Sequence, residues 1–120
     1  APGLPGLQTF CTSMIELEEL GILSFNDIVR TCSYQPAYLF GLYPRKGALL
    51  FGSDADLIII DKATITEIRD EDQFSKSGFS PFSGRKVQGA VTHVLLHGKS
   101  IAEKGKVIGQ PSGIFLKPNS

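Results

Sequence analysis

Residues Lys46 to Asp61 read K-G-A-L-L-F-G-S-D-A-D-L-I-I-I-D. Two apolar runs, Ala48 to Phe51 and Leu57 to Ile60, flank the turn-forming cluster Gly52, Ser53 and Asp54, a pattern that predicts strand, tight turn, strand. Leu57 to Ile60 is apolar at every position, and because strand side chains alternate between faces, both faces of this strand need cover. The stretch reads as a buried hairpin whose second arm is a central strand. Sequence before it looks helical and sequence after it looks like more sheet.

Working upstream, Tyr43-Pro44 bars helical continuation. Before it, Pro36 suits the first turn of a short helix that Gly41 stops. Ser24 is a good N-cap for another short helix, with Phe25, Ile28, Val29 and Cys32 on one face and an end near Ser33. Nearer the start, apolar residues recur from Leu7 at Phe10, Cys11, Met14, Leu17 and Leu20, the spacing of a helix with one buried stripe, and Gly21 is its stop. Glu16, Glu18 and Glu19 in its last turn oppose the helix dipole, so this end should fray or find cationic partners. Pro2, Gly3, Pro5 and Gly6 form a loop whose glycines allow close main-chain approach.

Downstream, Thr64 to Ile68 alternates as a half-exposed strand does, and Asp70 to Asp72 is an acidic turn or a single helical turn. Phe74 to Gly84 is rich in Ser, Gly and Phe; Phe79 and Phe82 around Ser80-Pro81 suggest a loop pinned to a surface by its aromatic residues. Val87 to Leu96 is a long strand, Ser100 to Ala102 pairs back after a turn at Gly98, and Val107-Ile108 returns after Lys104-Gly105. The tail from Gln110 to Ser120 carries one apolar knot, Ile114 to Leu116, and should drape over another part of the protein. Helical and sheet segments thus segregate near Tyr43, as pieces of two domains would.

At 120 residues the chain is long enough for one domain with a single core. Twelve basic residues balance twelve acidic ones, so no net field favours nucleic acid or an anionic membrane. The longest apolar run is four residues, against the ~20 that span a bilayer, and no secretory leader opens the chain. Cys11 and Cys32 lack metal-binding spacing and read as reduced core thiols of a soluble, cytoplasmic protein. The chain starts inside a loop without a methionine, which suggests a piece of a longer polypeptide.

Constellations for chemistry are sparse. His93 and His97 sit on one predicted strand, where four residues span about 13 Å, too far for one ion. Asp54, Asp56 and Asp61 cluster; Asp54 in the predicted turn would accept backbone N–H bonds. Arg45-Lys46 either binds an anion or is a solvated basic pair, and Lys46 alternatively pairs with a carboxylate. There is no phosphate loop, nucleophile elbow or Cys-His arrangement, so no residue is assigned a catalytic role, and no metal ligand is assigned either. Only the loop at Pro2-Gly3 is a candidate for touching a ligand.

Four stretches together resemble the cyclic amidohydrolases of the hydantoinase, dihydropyrimidinase, allantoinase and dihydroorotase group: G-L-P-G-L-Q-T from Gly3, Q-P-A-Y-L-F-G-L-Y-P-R-K-G from Gln35, G-S-D-A-D-L from Gly52 and S-P-F-S-G from Ser80. The resemblance implies an α+β fragment, about the last quarter of a family chain, in which the last helices of a (β/α)8 TIM barrel precede strands of a small β-sandwich. It divides the chain into residues 1–43 closing the barrel, 44–109 in the sandwich and 110–120 as a tail. It further implies a hydrolase of small cyclic amides or imides, acting with the rest of its own polypeptide and assembling as a homo-oligomer. Two zinc ions, bridged by a carboxylated lysine and held by histidines and an aspartate, would be bound by residues preceding Ala1. In that family, the resemblance implies, the metals would supply a hydroxide for attack on the ring carbonyl and a strand-end aspartate would carry the proton to the leaving nitrogen.

Pro2 and Gly3 match the loop whose main-chain groups hydrogen-bond the substrate ring. Relatives often carry asparagine or phenylalanine in place of Pro2, so its carbonyl and the Gly3 amide are the groups available. Gln8 stands where glutamate is usual and Gln35 where an asparagine cap is usual. The Y-P-R-K-G and S-P-F-S-G stretches look most similar to hydantoinases and dihydropyrimidinases, with dihydroorotase and allantoinase close behind. Two readings of another kind stay open: a non-catalytic relative serving as a scaffold or binding protein, and a self-standing interaction domain.

Overall fold

The computed structural model describes residues 3–119. In chain order these form helix α1 (Phe10–Glu19), helix α2 (Phe25–Val29), a π-helical turn (Arg30–Tyr34), helix α3 (Gln35–Leu39), strand β1 (Leu57–Glu67), a 3-10 turn (Asp70–Asp72) and strands β2 (Lys86–Leu96), β3 (Lys99–Glu103) and β4 (Lys106–Val107). The strands make one sheet in the order β1-β2-β3-β4, with β2–β3 and β3–β4 antiparallel. Two compact units can be separated: residues up to Ile22 with Ile60–Ala90, and Leu23–Ile59 with residues from Val91 onward. β1 and β2 contribute residues to both.

In the first unit, α1 begins three residues later than its apolar spacing predicts, because Leu7 is left exposed in the preceding turn. The Thr9 hydroxyl donates to the Gly6 carbonyl at 3.2 Å and is buried there. The buried face also differs from the predicted stripe: Phe10 and Leu20 are exposed, while Ile15, only 2% exposed, is the residue that seats against the sheet. The helix is apolar on more than one side, so spacing alone cannot choose the face; the choice is made by Gly89. A Cβ at Gly89 would lie 2.6 Å from Ile15 Cγ2, so the missing side chain is the room that Ile15 occupies. The Thr66 hydroxyl donates to the Gly89 carbonyl at 2.7 Å and holds that strand position to β1. Glu16 and Glu18 find the expected cations, Arg85 and Lys62, each at 3.0 Å.

Asp70 to Asp72 forms the single helical turn expected of it. The 74–84 loop is pinned, with Phe82 half-buried beside the Arg85 guanidinium, 5.9 Å from its ring centre, while Phe79 is exposed and so takes no part in the expected aromatic anchoring. Its anchor is buried Ser80, whose N–H donates to Asp70 Oδ1 at 2.8 Å and whose hydroxyl accepts from the Phe82 N–H at 3.1 Å.

In the second unit, Ser24 caps α2 as expected, within a capping box in which Asp27 N–H donates to Ser24 Oγ and Ser24 N–H to Asp27 Oδ2. The two short helices predicted after it are not separated at Ser33. The chain stays helical from Phe25 to Leu39 by widening one turn to π pitch, with Gln35 N–H donating five residues back to the Arg30 carbonyl. Pro36 follows at once in the first turn of α3. The helix stops at Gly41, as predicted, with Leu42 N–H turning back to the Ala37 carbonyl at 2.7 Å.

The predicted central hairpin does not form. Ala48 to Phe51 is irregular, closed by a turn in which Ser53 N–H donates to Leu50 O at 3.0 Å. Leu49, Leu50 and Phe51 are exposed and have no ladder partner among the described residues. β1 is an edge strand rather than a central one, and Ile58 and Ile59 are each half exposed. An apolar run such as Ala48 to Phe51 does not make a strand without a neighbour to bond. Leu57 to Glu67 is continuous, joining two segments that alternation separates. His97 leaves β2 and takes positive φ in the hairpin turn with Gly98, so His93 and His97 do not share a strand. The tail docks: Asn119 donates from its N–H to Gly41 O at 2.6 Å and from Nδ2 to Tyr43 O at 2.8 Å.

Only Ile15, Ala37, Ile68 and Val87 are buried apolar side chains among the described residues, while Leu7, Leu39, Phe40, Leu49, Phe51, Phe74 and Phe115 are exposed. This is far more apolar surface than a monomeric domain normally leaves to water. These 120 residues expressed alone are expected to aggregate or to bind the dye ANS strongly. Size-exclusion chromatography and dye fluorescence check this, and a monomer with a sharp melt and no dye binding would count against it.

Candidate functional site

Of the two residues singled out for ligand contact, Pro2 lies outside the described residues and Gly3 is exposed. Neither Gly3 nor Gly6 takes positive φ, and a Cβ on either would meet nothing within 4 Å. The glycines therefore serve no close packing within the described chain, contrary to the expectation from their spacing. Downstream the segment is firmly held, by Thr9 on Gly6 and by the Gln8 side chain, which donates from Nε2 to Asp72 O and accepts at Oε1 from Phe74 N–H, both at 2.8 Å.

The basic pair Arg45-Lys46 is committed to carboxylates. Arg45 Nε reaches Asp54 Oδ2 at 2.9 Å, and Lys46 Nζ reaches the same oxygen at 2.9 Å while also bonding Asp56. Two cations facing two carboxylates leave little charge for an anion, and Lys46 is nearly enclosed at 17% side-chain exposure. Asp54 is thus an ion-pair partner and not, as predicted, an acceptor of turn N–H groups. That part falls to Asp56, which accepts the His97 N–H at 3.0 Å, and to Asp61, which accepts the Ala63 N–H at 2.8 Å. His97 Nδ1 stands 3.7 Å from Asp54.

Beside this network lies an open pocket of about 500 Å³, walled by Val29, Cys32, Ala37 and Phe40 on the helical side and by Lys46 and Ile58 on the other. Its lining is mostly apolar and its one cation is already paired, so it suits an apolar body better than a charged ligand. Nothing in the sequence reading pointed to it, because its walls come from segments that spacing cannot bring together. Cys11 and Cys32 form no disulfide, and both are half-buried. Among the described residues no three His, Cys, Asp or Glu side chains come together as a metal site would need.

The charges of the Lys46 network set its pH range. Hydrogen bonds from Lys46 and then Arg45 hold Asp54 below its ordinary 3.8. For Asp56, burial pushes upward, but the Lys46 hydrogen bond and the His97 N–H overcome it, and the net direction is down. For Lys46, burial pulls down and the two carboxylates more than offset it, so the ammonium is raised above 10.5. Depressed carboxylates contribute stability above their unfolded value that is lost as pH falls through the folded one; a raised ammonium contributes below its unfolded value and is lost as pH rises. The network is therefore complete from about pH 4 to about pH 10. Lys46→Met should move the acid limb upward, so that the protection factor of the His97 amide in hydrogen exchange falls at a higher pH than in the unaltered chain.

The sequence profile described as the amidohydrolase family matches residues 9–101. A D-hydantoinase of Ralstonia pickettii is 33% identical over 116 residues, which is 96% of this chain and 25% of that protein. A dihydroorotase of Pyrococcus abyssi is 34% identical over 94% of this chain and 28% of its own length. Among solved structures, the L-hydantoinase (dihydropyrimidinase) from Arthrobacter aurescens matches with a TM-score of 0.85 and 38% identity, over 90% of this chain and 24% of that one. The chain thus spans about a quarter of the length of the curated relatives it matches. No helix among the described residues is long and apolar enough to cross a membrane. With the profile covering most of its residues, the chain belongs to the amidohydrolase family.

Proposed function

We propose that this chain is the C-terminal part of a metal-dependent cyclic amidohydrolase that opens a ring amide C–N bond of the hydantoin or dihydropyrimidine type. The observation that carries the reading is the match to hydantoinases along nearly the whole chain, in sequence and in structure alike. Residues 1–43 close a TIM barrel, 44–109 supply strands of a β-sandwich and 110–120 form the tail; the order of elements, helices up to Leu39 and strands from Leu57, supports that division. The exposed apolar surface supports the rest of the polypeptide as its cover. The same reading takes the whole protein to be a cytoplasmic homo-oligomer, a location in keeping with two cysteines that form no disulfide.

The metal of this reading is a pair of zinc ions. The described residues do not fit such a centre, since no group of three ligating side chains exists among them. Its ligands are assigned elsewhere in the polypeptide. The part we assign to this chain is recognition: the Pro2 carbonyl and Gly3 amide hydrogen-bond the substrate ring. The open surroundings of Gly3 support this role, because a ring can approach its main chain without displacing a neighbour. The dihydroorotase match favours a second reading in which the ring is dihydroorotate.

The test is an assay of the full-length gene product with hydantoin, dihydrouracil and dihydroorotate, together with its metal content. Turnover of hydantoin or dihydrouracil above dihydroorotate is expected, with metal bound. The reverse order favours the second reading. Zero turnover in a metal-free protein overturns both and leaves a scaffold.

A further inference from the structure

The stretches G-L-P-G-L-Q-T and S-P-F-S-G lie more than sixty residues apart in sequence, and the fold stitches them into one hydrogen-bonded path within the first unit. The path starts where Thr9 Oγ1 donates to Gly6 O at 3.2 Å. At the preceding residue, Gln8 uses both ends of its amide on the main chain in and just beyond the acidic turn, donating to Asp72 O and accepting from Phe74 N–H, each at 2.8 Å. The same turn presents Asp70, whose Oδ1 accepts the Ser80 N–H at 2.8 Å. Buried Ser80 then accepts the Phe82 N–H at 3.1 Å. Gln8 is the only side chain in this path that joins the Gly3-bearing segment to the 70–84 region.

We propose that Gln8 is a positioning residue: its amide splints the segment carrying Gly3 to the 72–74 main chain, so that the Gly3 amide meets the substrate ring in a fixed place. The inference rests on the ring-opening function proposed above. The amide makes both bonds at once, where the glutamate usual in relatives can make only one. A glutamate at this position would still accept from Phe74 N–H, but it offers no donor to Asp72 O and sets a carboxylate against that carbonyl. Removing the splint loosens the loop that binds substrate without touching the reacting atoms, so it should weaken binding more than it slows chemistry.

The experiment compares the full-length protein with its Gln8→Ala and Gln8→Glu forms by steady-state kinetics on the ring substrate and by hydrogen exchange at the Phe74 and Ser80 amides. Gln8→Ala should raise KM by about three- to ten-fold, the worth of one or two net hydrogen bonds, with kcat held within about two-fold. Exchange at Phe74 should accelerate by a similar factor. Gln8→Glu, which is nearly isosteric and guards against a merely misfolded alanine variant, should keep Phe74 protected and give an intermediate KM. Faster exchange with unchanged KM overturns the positioning role and leaves a structural tie; unchanged exchange overturns the splint itself. If the unaltered protein opens no ring, the proposed function fails and the positioning role with it, while the exchange data still report whether the splint exists.

Discussion

Both units are built around a place where a side chain is missing. In the first unit Ile15 fills the space over Gly89, and in the second Gly47, at φ +76°, brings its main chain so close that a Cβ would lie 2.6 Å from Ala37 Cβ and 2.7 Å from the Ser33 carbonyl. Ile15 and Ala37 are two of the four buried apolar side chains among the described residues, so these contacts are a large part of what core there is. Overpacking such a point costs about 1–3 kcal/mol, a large fraction of the stability of any small unit. In a chain with so little buried apolar area, the fit at two glycines decides which helix face turns inward.

Polar ties carry much of the remaining definition. Glu16 and Glu18 fasten α1 to Arg85 and Lys62, Gln8 fastens the acidic turn, and Lys46 gathers Asp54 and Asp56. Most of these groups are partly exposed, and exposed pairs contribute little each. Their value lies in register and direction: they say where the loops run, while leaving the apolar surface of Leu49 to Phe51 and of Phe40 uncovered. Such a division suits a segment whose hydrophobic partners are supplied by other residues of a longer fold.

What the sequence made legible follows from how local each signal is. The Ser24 cap, the stops at Gly21 and Gly41, the acidic turn and strands β2 to β4 depend on neighbours within a few residues, and they stand where expected. The Ala48–Phe51 strand failed because a strand is a relation between two segments, and no second segment bonds it among the described residues. Apolar spacing points to a different face of α1 from the buried one because Gly89, more than seventy residues away, selects Ile15. The pinning of Ser80 by Asp70 and the two-ended use of Gln8 were invisible for the same reason. The family was legible because it rests on strings of adjacent residues; the pocket beside Lys46 was not, because it rests on none.

The widened turn at Arg30–Tyr34 fixes the rotational phase of everything that follows it on the helix. It takes up one residue more than α-helical pitch by winding more slowly, so the residues after it keep the phase that an uninterrupted helix one residue shorter would give them. Excising one residue from Arg30 to Ser33 would restore ordinary winding and leave Ala37 under Gly47, with Tyr34, Tyr38 and Tyr43 still clustered, whereas a deletion in an α-helical turn beside it would rotate Ala37 away by about 100°. The widened turn is thus the one place along this helix where a residue can be given up without re-aiming the side chains that pack beyond it.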